Sequence, residues 1–423
     1  MKVLIKQAII ISSSSPFNGQ PKDILITDGK IATIVDSVNE AADMVIDQKG
    51  LHVSIGWMDI FSQFCDPGLE YRETLETGAK AAAAGGFTDI MVLPNTNPVV
   101  DTKSQVEYII QKVRSLSVNI YPIGAITQKT AGTNLAEMYD MQNSGAIAFG
   151  DGTTSVQNAG LLMKALQYIK SFKGILIQVP DDNTIGTYGL MNEGIISTKL
   201  GLPGKPAIAE ELMVARDIKL AKYAGSKLHF TGVSTAKSLE YIKRAKDAGI
   251  NLTCSVTPYH LYFCDEDMQT YDTNLKVNPP LRTKEDRAAL IKGLINGTID
   301  CIASHHQPQD WDGKTCEFEY AKYGMIGLES LFGVVWPIVQ GQWTITQLME
   351  VLSNAPRKIF GLEIPEIKEG GFACLTLFNP EQEYIFHEKM IHSKSKNSAF
   401  VGKMLNGKVY GIINGDKIEM NKE

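Results

Sequence analysis

The sequence predicts an α/β protein in which a (β/α)8 TIM-type barrel carries a small β-sandwich domain formed by both termini. Residues 53–359 alternate short apolar, strand-like runs with helical patterns, which is typical of a parallel barrel. Residues 1–52 and 360–423 carry short strand-like runs and turns instead. With 423 residues, the chain is too long for one ordinary core. We therefore expect a barrel at 53–359 and a composite terminal domain at 1–52 plus 360–423.

The terminal domain is predicted from strand signals at both ends of the chain. Strands are expected at 3–11, 23–27 and 29–34, and Asp28-Gly29 is a hairpin signal between the last two. Further strands are expected at 373–378, 409–413 and 417–420. Because the strand texture of the N-terminus returns past about residue 360, we expect the two termini to fold together as a small β-sandwich beside the barrel.

The barrel is predicted from the repeated strand–helix order. The candidate strands are 90–93, 119–123, 146–149, 175–179, 227–230, 251–255 and 301–303. The candidate helices are 74–85, 103–115, 135–144, 161–172, 209–224, 236–248 and 284–294, with a last helix at 346–352 that stops at 354–356. In such a barrel the chemistry lies at the C-terminal ends of the strands and in the loops that follow them.

Composition excludes several function classes. The net charge of −6 predicts neither nucleic-acid binding nor attraction to an anionic membrane. No run approaches the roughly 18 apolar residues that a membrane span needs, and the N-terminus is strand-like without a signal-peptide layout. The six cysteines are scattered without a C-x-x-C pair, which favours reduced thiols and a cytoplasmic location.

Nine short motifs follow one another in an order that is specific to one family. They are PGLEYRET (67–74), AAAAGGFT (81–88), LPNTNP (93–98), LGL (200–202) with IAEE (208–211), VSTA (233–236), VTPYHL (256–261), KVNPPLR (276–282), GTID (297–300) and GMIGLE (324–329). On these motifs, from about residue 55 to 402, the chain resembles the multifunctional or hydantoinase-like dihydroorotases of the amidohydrolase superfamily. The resemblance implies an amidohydrolase-type barrel and a place in pyrimidine biosynthesis, where the family closes carbamoyl aspartate to dihydroorotate.

The same resemblance exposes a degenerate metal site. The family uses two zinc ions, which lower the pKa of a bound water and polarise the amide carbonyl. The segment 59–68 matches the family pattern D-x-H-x-H-x-R-x-P-G, but neither histidine is present. Carried over position by position, the family's ligands fall at Phe61, Gln63, Asp151, Val179, Gly232 and His305. His305 stands where the family has its catalytic aspartate, and Asp151 is the single carboxylate left of a family pair, whose ligand member it need not be.

We therefore predict no metal and no other cofactor, and we leave the catalytic residues unassigned. One alternative is a single metal held by Asp151, His305 and Cys65, since zinc needs about three protein donors even in an open site. His305 and His306 are neighbours, so their side chains should point to opposite sides and not chelate one ion together. Phe61 argues against a cation, because an apolar ring would lie where the metal belongs.

Part of the family's substrate pocket is retained. By resemblance, Asn95, Asn278 and His306 are the residues that would contact a small carboxylated ligand. The arginine that would bind the ligand carboxylate is replaced by Cys65, which cannot form a bidentate contact. An alternative reading is that Asn95 and Asn278 only hold loops in place.

Three functional hypotheses follow. The first is a metal-free, catalytically defective homologue with a scaffold or regulatory role, for which the family analogy suggests aspartate transcarbamoylase as a partner and a homodimer as the assembly. The second is a working cyclic amidohydrolase with one unusual metal, or with His305 as a general base without metal. The third is a binding protein for a small carboxylated ligand.

Overall fold

The structure, a computed structural model, describes residues 1–422 as a closed barrel with a terminal β domain. The strands are, in chain order, β1 (Lys2–Ile11), β2 (Pro21–Thr27), β3 (Lys30–Val35), β4 (Met44–Ile46), β5 (His52–Ile55), β6 (Trp57–Ser62), β7 (Phe87–Val92), β8 (Asn119–Gly124), β9 (Ala148–Phe149), β10 (Ile175–Gln178), β11 (Met191–Asn192), β12 (Gly204–Lys205), β13 (Lys227–Phe230), β14 (Leu252–Val256), β15 (Cys301–Ile302), β16 (Cys374–Ile385), β17 (Met404–Asn414) and β18 (Lys417–Met420).

Helices alternate with the barrel strands. They are α1 (Leu75–Ala84), α2 (Lys103–Lys112), α3 (Met138–Asn143), α4 (Ala159–Lys170), α5 (Ile195–Leu200), α6 (Ile208–Ala224), α7 (Ala236–Asp247), α8 (Pro258–Tyr262), α9 (Lys284–Ile295), α10 (Trp311–Lys314), α11 (Leu331–Val339), α12 (Ile345–Met349) and α13 (Ala355–Phe360). Short 3₁₀ turns cover Gln128–Thr130, Asp265–Thr270, Thr273–Leu275 and Glu388–Met390, and a π turn covers Glu350–Asn354. Within residues 1–422, no helix is both long and apolar enough to cross a membrane.

The barrel is a parallel sheet whose ends are joined by a bridge. Its strand order is β15-β14-β13-β10-β9-β8-β7-β6, and an isolated parallel bridge pairs Ser62 with His306. The backbone N–H of Gln63 also donates to the carbonyl of His306 over 2.8 Å. These contacts bring the first and last strands together, so the predicted (β/α)8 barrel is confirmed.

A buried carboxylate strengthens this seam. Asp59, on β6, accepts hydrogen bonds from the backbone N–H of Ser304 (2.6 Å), from the Ser304 hydroxyl (2.9 Å) and from the Ser62 hydroxyl (2.6 Å). Asp59 and Ser304 are both fully buried, so each bond is made away from water. The aspartate that begins the degenerate family segment therefore joins the two edges of the sheet.

The terminal domain is one mixed sheet drawn from both ends of the chain. Its order is β18-β17-β16-β5-β1-β2-β3, and β4 pairs with β1. The predicted hairpin is present, and Thr27 pairs with Lys30 across it. Asp28 and Gly29 both have positive φ angles (48° and 76°), as the two central residues of a type I′ turn require. β5 spans the predicted domain limit at residue 52 and belongs to the terminal sheet, and the barrel begins at β6.

Two predicted features differ from the structure. No strand is predicted at 57–62, but β6 lies there with all six residues buried. The strand is hard to predict because a strand covered on both faces lacks the alternation of apolar and polar residues that reveals a half-exposed strand. The helix expected to stop at 354–356 instead passes through the π turn into α13. Pro356 is the second residue of α13 and follows the π turn directly, so the helical bonding pattern is irregular where the backbone N–H is missing.

Candidate functional site at the barrel mouth

The six positions that correspond to the family's metal ligands lie at the C-terminal ends of barrel strands. Phe61 and Gln63 lie at the end of β6, Asp151 follows β9, and Val179 follows β10. The remaining two are Gly232, which follows β13, and His305, which follows β15. All six are buried, so the strand ends form a filled floor rather than an open cavity.

Phe61 covers His305, which by resemblance stands at the position of the family's catalytic aspartate. Its phenyl ring stacks on the imidazole of His305 with ring centroids 4.2 Å apart and an interplanar angle of 28°. Both residues are only 1% exposed. Phe61 also belongs to an apolar cluster that fills the barrel interior and includes Val179, Met91 and Ile177. The ring therefore continues the barrel core up to the mouth.

His305 is held in a constrained conformation with one ring nitrogen engaged. Its φ angle is +45°, and its Nε2 lies 2.8 Å from the hydroxyl oxygen of Thr231. Its Nδ1 is buried and has no hydrogen-bond partner among residues 1–422. Burial holds the pKa of His305 well below its ordinary value, so the imidazole is neutral.

Gly232 leaves the space that His305 uses. A Cβ atom built on Gly232 would lie 2.6 Å from Cε1 of His305, and the φ angle of Gly232 is +68°. A side chain at 232 is therefore opposed by both the backbone conformation and the neighbouring ring. The imidazole and the missing side chain are complementary.

A buried chain of hydrogen bonds extends from His305 into the barrel. Thr231 accepts a hydrogen bond from the Ser255 hydroxyl (2.9 Å), and Ser255 lies 3.1 Å from Nε2 of His229. The other ring nitrogen of His229 contacts Thr253 at 2.8 Å. Burial lowers the pKa of His229 to about 3. Both ring nitrogens of His229 are thus engaged inside the barrel.

Both carboxylate oxygens of Asp151 accept hydrogen bonds from protein groups. One oxygen accepts from the backbone N–H groups of Ile126 and Thr127 (2.9 Å each), and the other accepts from the Thr127 hydroxyl (2.5 Å). Burial raises the pKa of Asp151 above its ordinary value, against these three bonds, which lower it. The carboxylate fixes the loop after β8 and does not face the mouth with free oxygens.

The Gln63 amide is also bonded to protein groups, and the Cys65 thiol is buried. The Gln63 amide donates to the carbonyl of Asn95 (3.2 Å) and accepts from the guanidinium of Arg72 (3.2 Å). Cys65 is buried, and burial raises the pKa of its thiol to about 12. Without a metal, the thiol is therefore protonated at neutral pH and is a poor nucleophile.

The three predicted ligand-binding residues are separated by the structure into different environments. Asn95 receives the backbone N–H of Thr153 (3.0 Å) and donates to the carbonyl of Asp151 (3.1 Å), so both ends of its amide hold the 151–153 loop. His306 is fully buried, with Nε2 3.4 Å from Glu73 and Nδ1 accepting from the Gly327 N–H (3.3 Å). Neither side chain presents a free polar atom to the mouth.

Asn278 differs, because it lies in a partly exposed charged group. Its amide oxygen accepts from the ammonium of Lys205 (3.0 Å), and its amide nitrogen donates to Asp181 (3.2 Å). Lys205 and Asp181 form an ion pair of 2.5 Å, with side chains 13% and 11% exposed. The sequence analysis did not identify Lys205, which lies in the long connection between β10 and α6 and carries no recognisable motif.

Across residues 1–422, no group of three or more histidine, cysteine, aspartate and glutamate side chains is arranged to hold a metal ion. The six carried-over positions offer the Asp151 carboxylate, the Gln63 amide and the His305 imidazole, and of their donor atoms Nδ1 of His305 has no hydrogen-bond partner among residues 1–422.

Comparison with known proteins identifies the family. A family model described as dihydro-orotase-like matches residues 51–238. A dihydroorotase of Pelotomaculum thermopropionicum is 41% identical over 424 residues, covering 99% of each chain. A dihydroorotase of Caldanaerobacter subterraneus subsp. tengcongensis is 40% identical over 429 residues, covering 100% of this chain and 99% of its own.

Solved structures agree on the fold. The L-hydantoinase (dihydropyrimidinase) of Arthrobacter aurescens superposes with a TM-score of 0.86 at 23% identity, covering 100% of this chain and 96% of its own. The dihydropyrimidinase of Brevibacillus agri gives 0.83 at 20% identity, with the same coverage. At these identities the match concerns architecture alone. The relatives that match at about 40% identity along the whole length show that this chain belongs to the dihydroorotase family.

Proposed function

We propose that this protein is a metal-free, catalytically defective member of the dihydroorotase family that serves pyrimidine biosynthesis as a scaffold or regulatory component. The observation that carries the proposal is the stack of Phe61 on His305, which fills the place of the family's metal centre with two neutral rings. The rest of the barrel is retained around that stack.

The residues present do not fit a pair of zinc ions. Zinc takes about four nitrogen, sulfur or oxygen donors, with three from protein even in an open site. Phe61, Val179 and Gly232 supply no donor, and Asp151 has both oxygens engaged by protein groups. The single-metal alternative uses Asp151, His305 and Cys65, and the engagement of both Asp151 oxygens argues against it.

The remaining catalytic alternative uses His305 as a general base. A base needs a pKa near the working pH and contact with the attacking water. His305 is buried beneath Phe61 and its pKa is strongly lowered, so it would be a weak base without access to solvent. This supports an activity toward carbamoyl aspartate or dihydroorotate that is absent or very small.

Metal content and turnover test the proposal together. The protein, purified without chelator from cells grown with added zinc, is measured by inductively coupled plasma mass spectrometry and assayed in both directions. The Pelotomaculum thermopropionicum dihydroorotase, handled identically, is the positive control. We expect far less than one zinc per chain and no turnover above background. One or more zinc per chain, or a rate comparable to the control's, would sink the idea.

By family analogy, the partner in the scaffold role is aspartate transcarbamoylase and the assembly is a homodimer. The six cysteines form no disulfide in the structure, which supports a reducing, cytoplasmic location. Isolation of the tagged chain from its host tests the partner. Recovery of a stoichiometric aspartate transcarbamoylase is the expected result, and a chain that emerges alone under gentle conditions speaks against the role.

A second candidate function is favoured by the group around Asn278. The Lys205 ammonium beside Asn278 is a cation at the mouth that a small carboxylated ligand could reach by displacing Asp181. Thermal-shift measurements with dihydroorotate and carbamoyl aspartate test it. A stabilisation that Lys205→Met abolishes favours ligand binding, and no shift at millimolar ligand removes this candidate.

A further inference from the structure

A large groove lies away from the barrel mouth. It has a volume of about 1150 Å³ and is formed by the ends of β16 and β17, the connection between them, the end of α1 and the residues before α11. Its floor is apolar and largely buried, with Ala84, Phe386, Ile391 and Val409 among its lining residues. A small-molecule pocket usually has about 300–1000 Å³, so this groove has room for a segment of a protein chain.

The rim of the groove is cationic, although the whole chain is acidic. The chain has a net charge of −6, yet four lysines and two histidines line this groove against two glutamates. Lys389 and Lys408 take part in no ion pair among residues 1–422. Unpaired charges around an apolar floor favour an occupant that carries the opposite charge.

Glu329 lies in the lining of the groove with half of its carboxyl unused. One oxygen accepts from the backbone N–H groups of His392 (2.5 Å) and Ser393 (3.1 Å). The other oxygen is buried and has no hydrogen-bond partner among the described residues. Burial raises the pKa of Glu329 to about 7. An unsatisfied buried polar atom is costly, and a donor from an occupant would remove that cost.

The same short segment reaches the barrel seam on its other side. The Ser393 hydroxyl and the Lys394 backbone N–H (3.0 Å) both donate to Glu73, and Glu73 contacts His306. His306 pairs with Ser62 where the barrel closes. Residues 392–394 therefore connect the groove to the seam through direct hydrogen bonds.

We propose that this groove, lined by Glu329, Lys389, Lys408 and the apolar floor, docks an acidic, apolar-anchored segment of a protein partner. The inference rests on the proposed scaffold role and gives that role a surface. The apolar floor takes an aliphatic or aromatic anchor, the lysines pair with aspartate or glutamate beside that anchor, and Glu329 receives a backbone N–H from the segment.

Selection of peptides on the full-length protein tests the proposal without knowledge of the partner. A phage-displayed library of random peptides of about 12 residues is panned on the wild-type protein, and enriched peptides are titrated by fluorescence anisotropy. The groove variant is Lys389→Glu with Lys408→Glu. The charge-matched control is Lys164→Glu with Lys219→Glu, two exposed lysines on α4 and α6 that do not line the groove.

We expect enriched peptides to combine aspartate or glutamate with an aliphatic or aromatic residue. The groove variant should weaken their binding roughly tenfold or more, and the control should leave it unchanged. Lys389 is exposed and Lys408 is half-buried, and the circular dichroism and melting temperature of the groove variant should match the wild type.

Three results would overturn the inference. They are enrichment of basic or uncharged peptides, binding that the groove variant leaves intact, and a wild-type dimer that the groove variant dissociates, which would assign the groove to a second copy. Zinc content and turnover measured on the same preparation report on the proposed function separately. An active, zinc-loaded preparation would contradict the proposed function, and the peptide-binding result could still be interpreted by itself.

Discussion

The phenyl ring of Phe61 stacks on the imidazole of His305, with 4.2 Å between ring centroids. The two residues come from opposite edges of the barrel sheet, β6 and the segment after β15, and so the contact lies across the seam. By the resemblance drawn from the sequence, both positions are expected to correspond to metal-ligand positions of the family. Here an apolar contact joins them, and it has consequences for stability that can be measured.

Phe61→Ala should destabilise the fold strongly. The substitution removes a ring that is 1% exposed from the apolar cluster of the barrel interior and leaves His305 uncovered. We expect a loss of about 3–5 kcal/mol in the free energy of unfolding, measured by urea denaturation. Tyr188→Ala is the matched control, because Tyr188 is 83% exposed. A loss below about 1 kcal/mol would mean that the ring does not stabilise the mouth.

Gly232→Ala should cost more than an alanine at another glycine with the same backbone. Gly232 and Gly132 have φ angles of +68° and +69°, but only at 232 would the added Cβ meet another group, His305 Cε1 at 2.6 Å. We expect about 1 kcal/mol from backbone strain in Gly132→Ala and about 1–3 kcal/mol more in Gly232→Ala. Equal losses in the two variants would show that His305 moves aside freely.

Arg357→Met should be among the most damaging substitutions. The buried guanidinium pairs with Asp89 (2.5 Å) and donates to the carbonyls of Gly56 (2.8 Å) and Ser353 (3.0 Å). Removing the guanidinium leaves the buried carboxylate of Asp89 without its cationic partner. We expect a loss of about 3–5 kcal/mol in the free energy of unfolding.

The double variant Arg357→Met with Asp89→Leu should recover part of that loss, since no charge is left unpaired. Lys243→Met is the control, because the ion pair of Lys243 with Asp247 is more than half exposed on both sides and should change stability by less than about 0.5 kcal/mol. Additive losses at Arg357 and Asp89 would contradict the coupling.

Lys314 should give the protein a stability that rises with pH above neutrality. Its ammonium donates to the carbonyls of Thr273 (2.8 Å) and Lys322 (2.7 Å), and burial, helped by nearby Lys276, lowers its pKa to about 7. Between that value and the ordinary pKa of 10.5, the unfolded chain binds more protons at this site than the folded chain does. The cost of burying Lys314 is therefore complete below pH 7 and shrinks as the pH rises.

The check is the free energy of unfolding from pH 7 to 9 for the wild type, Lys314→Met and the exposed control Lys164→Met. We expect the wild type and the control to gain stability across this range relative to Lys314→Met. Parallel profiles for all three proteins would show that Lys314 does not titrate there.

Chelation should leave the protein unchanged. A metal that binds only the folded state raises the melting temperature, and its removal lowers it. Because the mouth is filled by Phe61, Val179 and the His305 ring, we expect EDTA to shift the melting temperature by less than about 1 °C. The Pelotomaculum thermopropionicum dihydroorotase serves as comparison. A drop of several degrees, reversed by added zinc, would contradict the metal-free proposal.

Much of the fold could be predicted because its signals are local. The Asp28-Gly29 turn, the β18 limits and seven of the barrel strands follow from turn residues and short apolar runs. β6 was missed because its six residues are all buried and its sequence mixes apolar residues with Asp59 and Ser62. The side chains of Asp59 and Ser62 bond to each other and to Ser304, which lies 245 and 242 positions away.

The site was less predictable, since its state depends on what each polar atom contacts. Asn95 has the same sequence context whether it binds a ligand or a loop, and only the contacts with Asp151 and Thr153 show that its amide is engaged. Lys205 has no motif, and only the folded chain brings its ammonium within 3.0 Å of the Asn278 amide oxygen.

The sequence predicts the barrel, the terminal domain shared by both ends of the chain, and the family, since each depends on residue identity or on the spacing of neighbours. The tertiary structure alone decided that Phe61 covers His305, that Gly232 makes room for that ring, and that a cationic groove lies next to the segment bonded to Glu73. The physical reason is that these contacts join residues far apart in the chain, and they form only when the sheet closes and its loops pack.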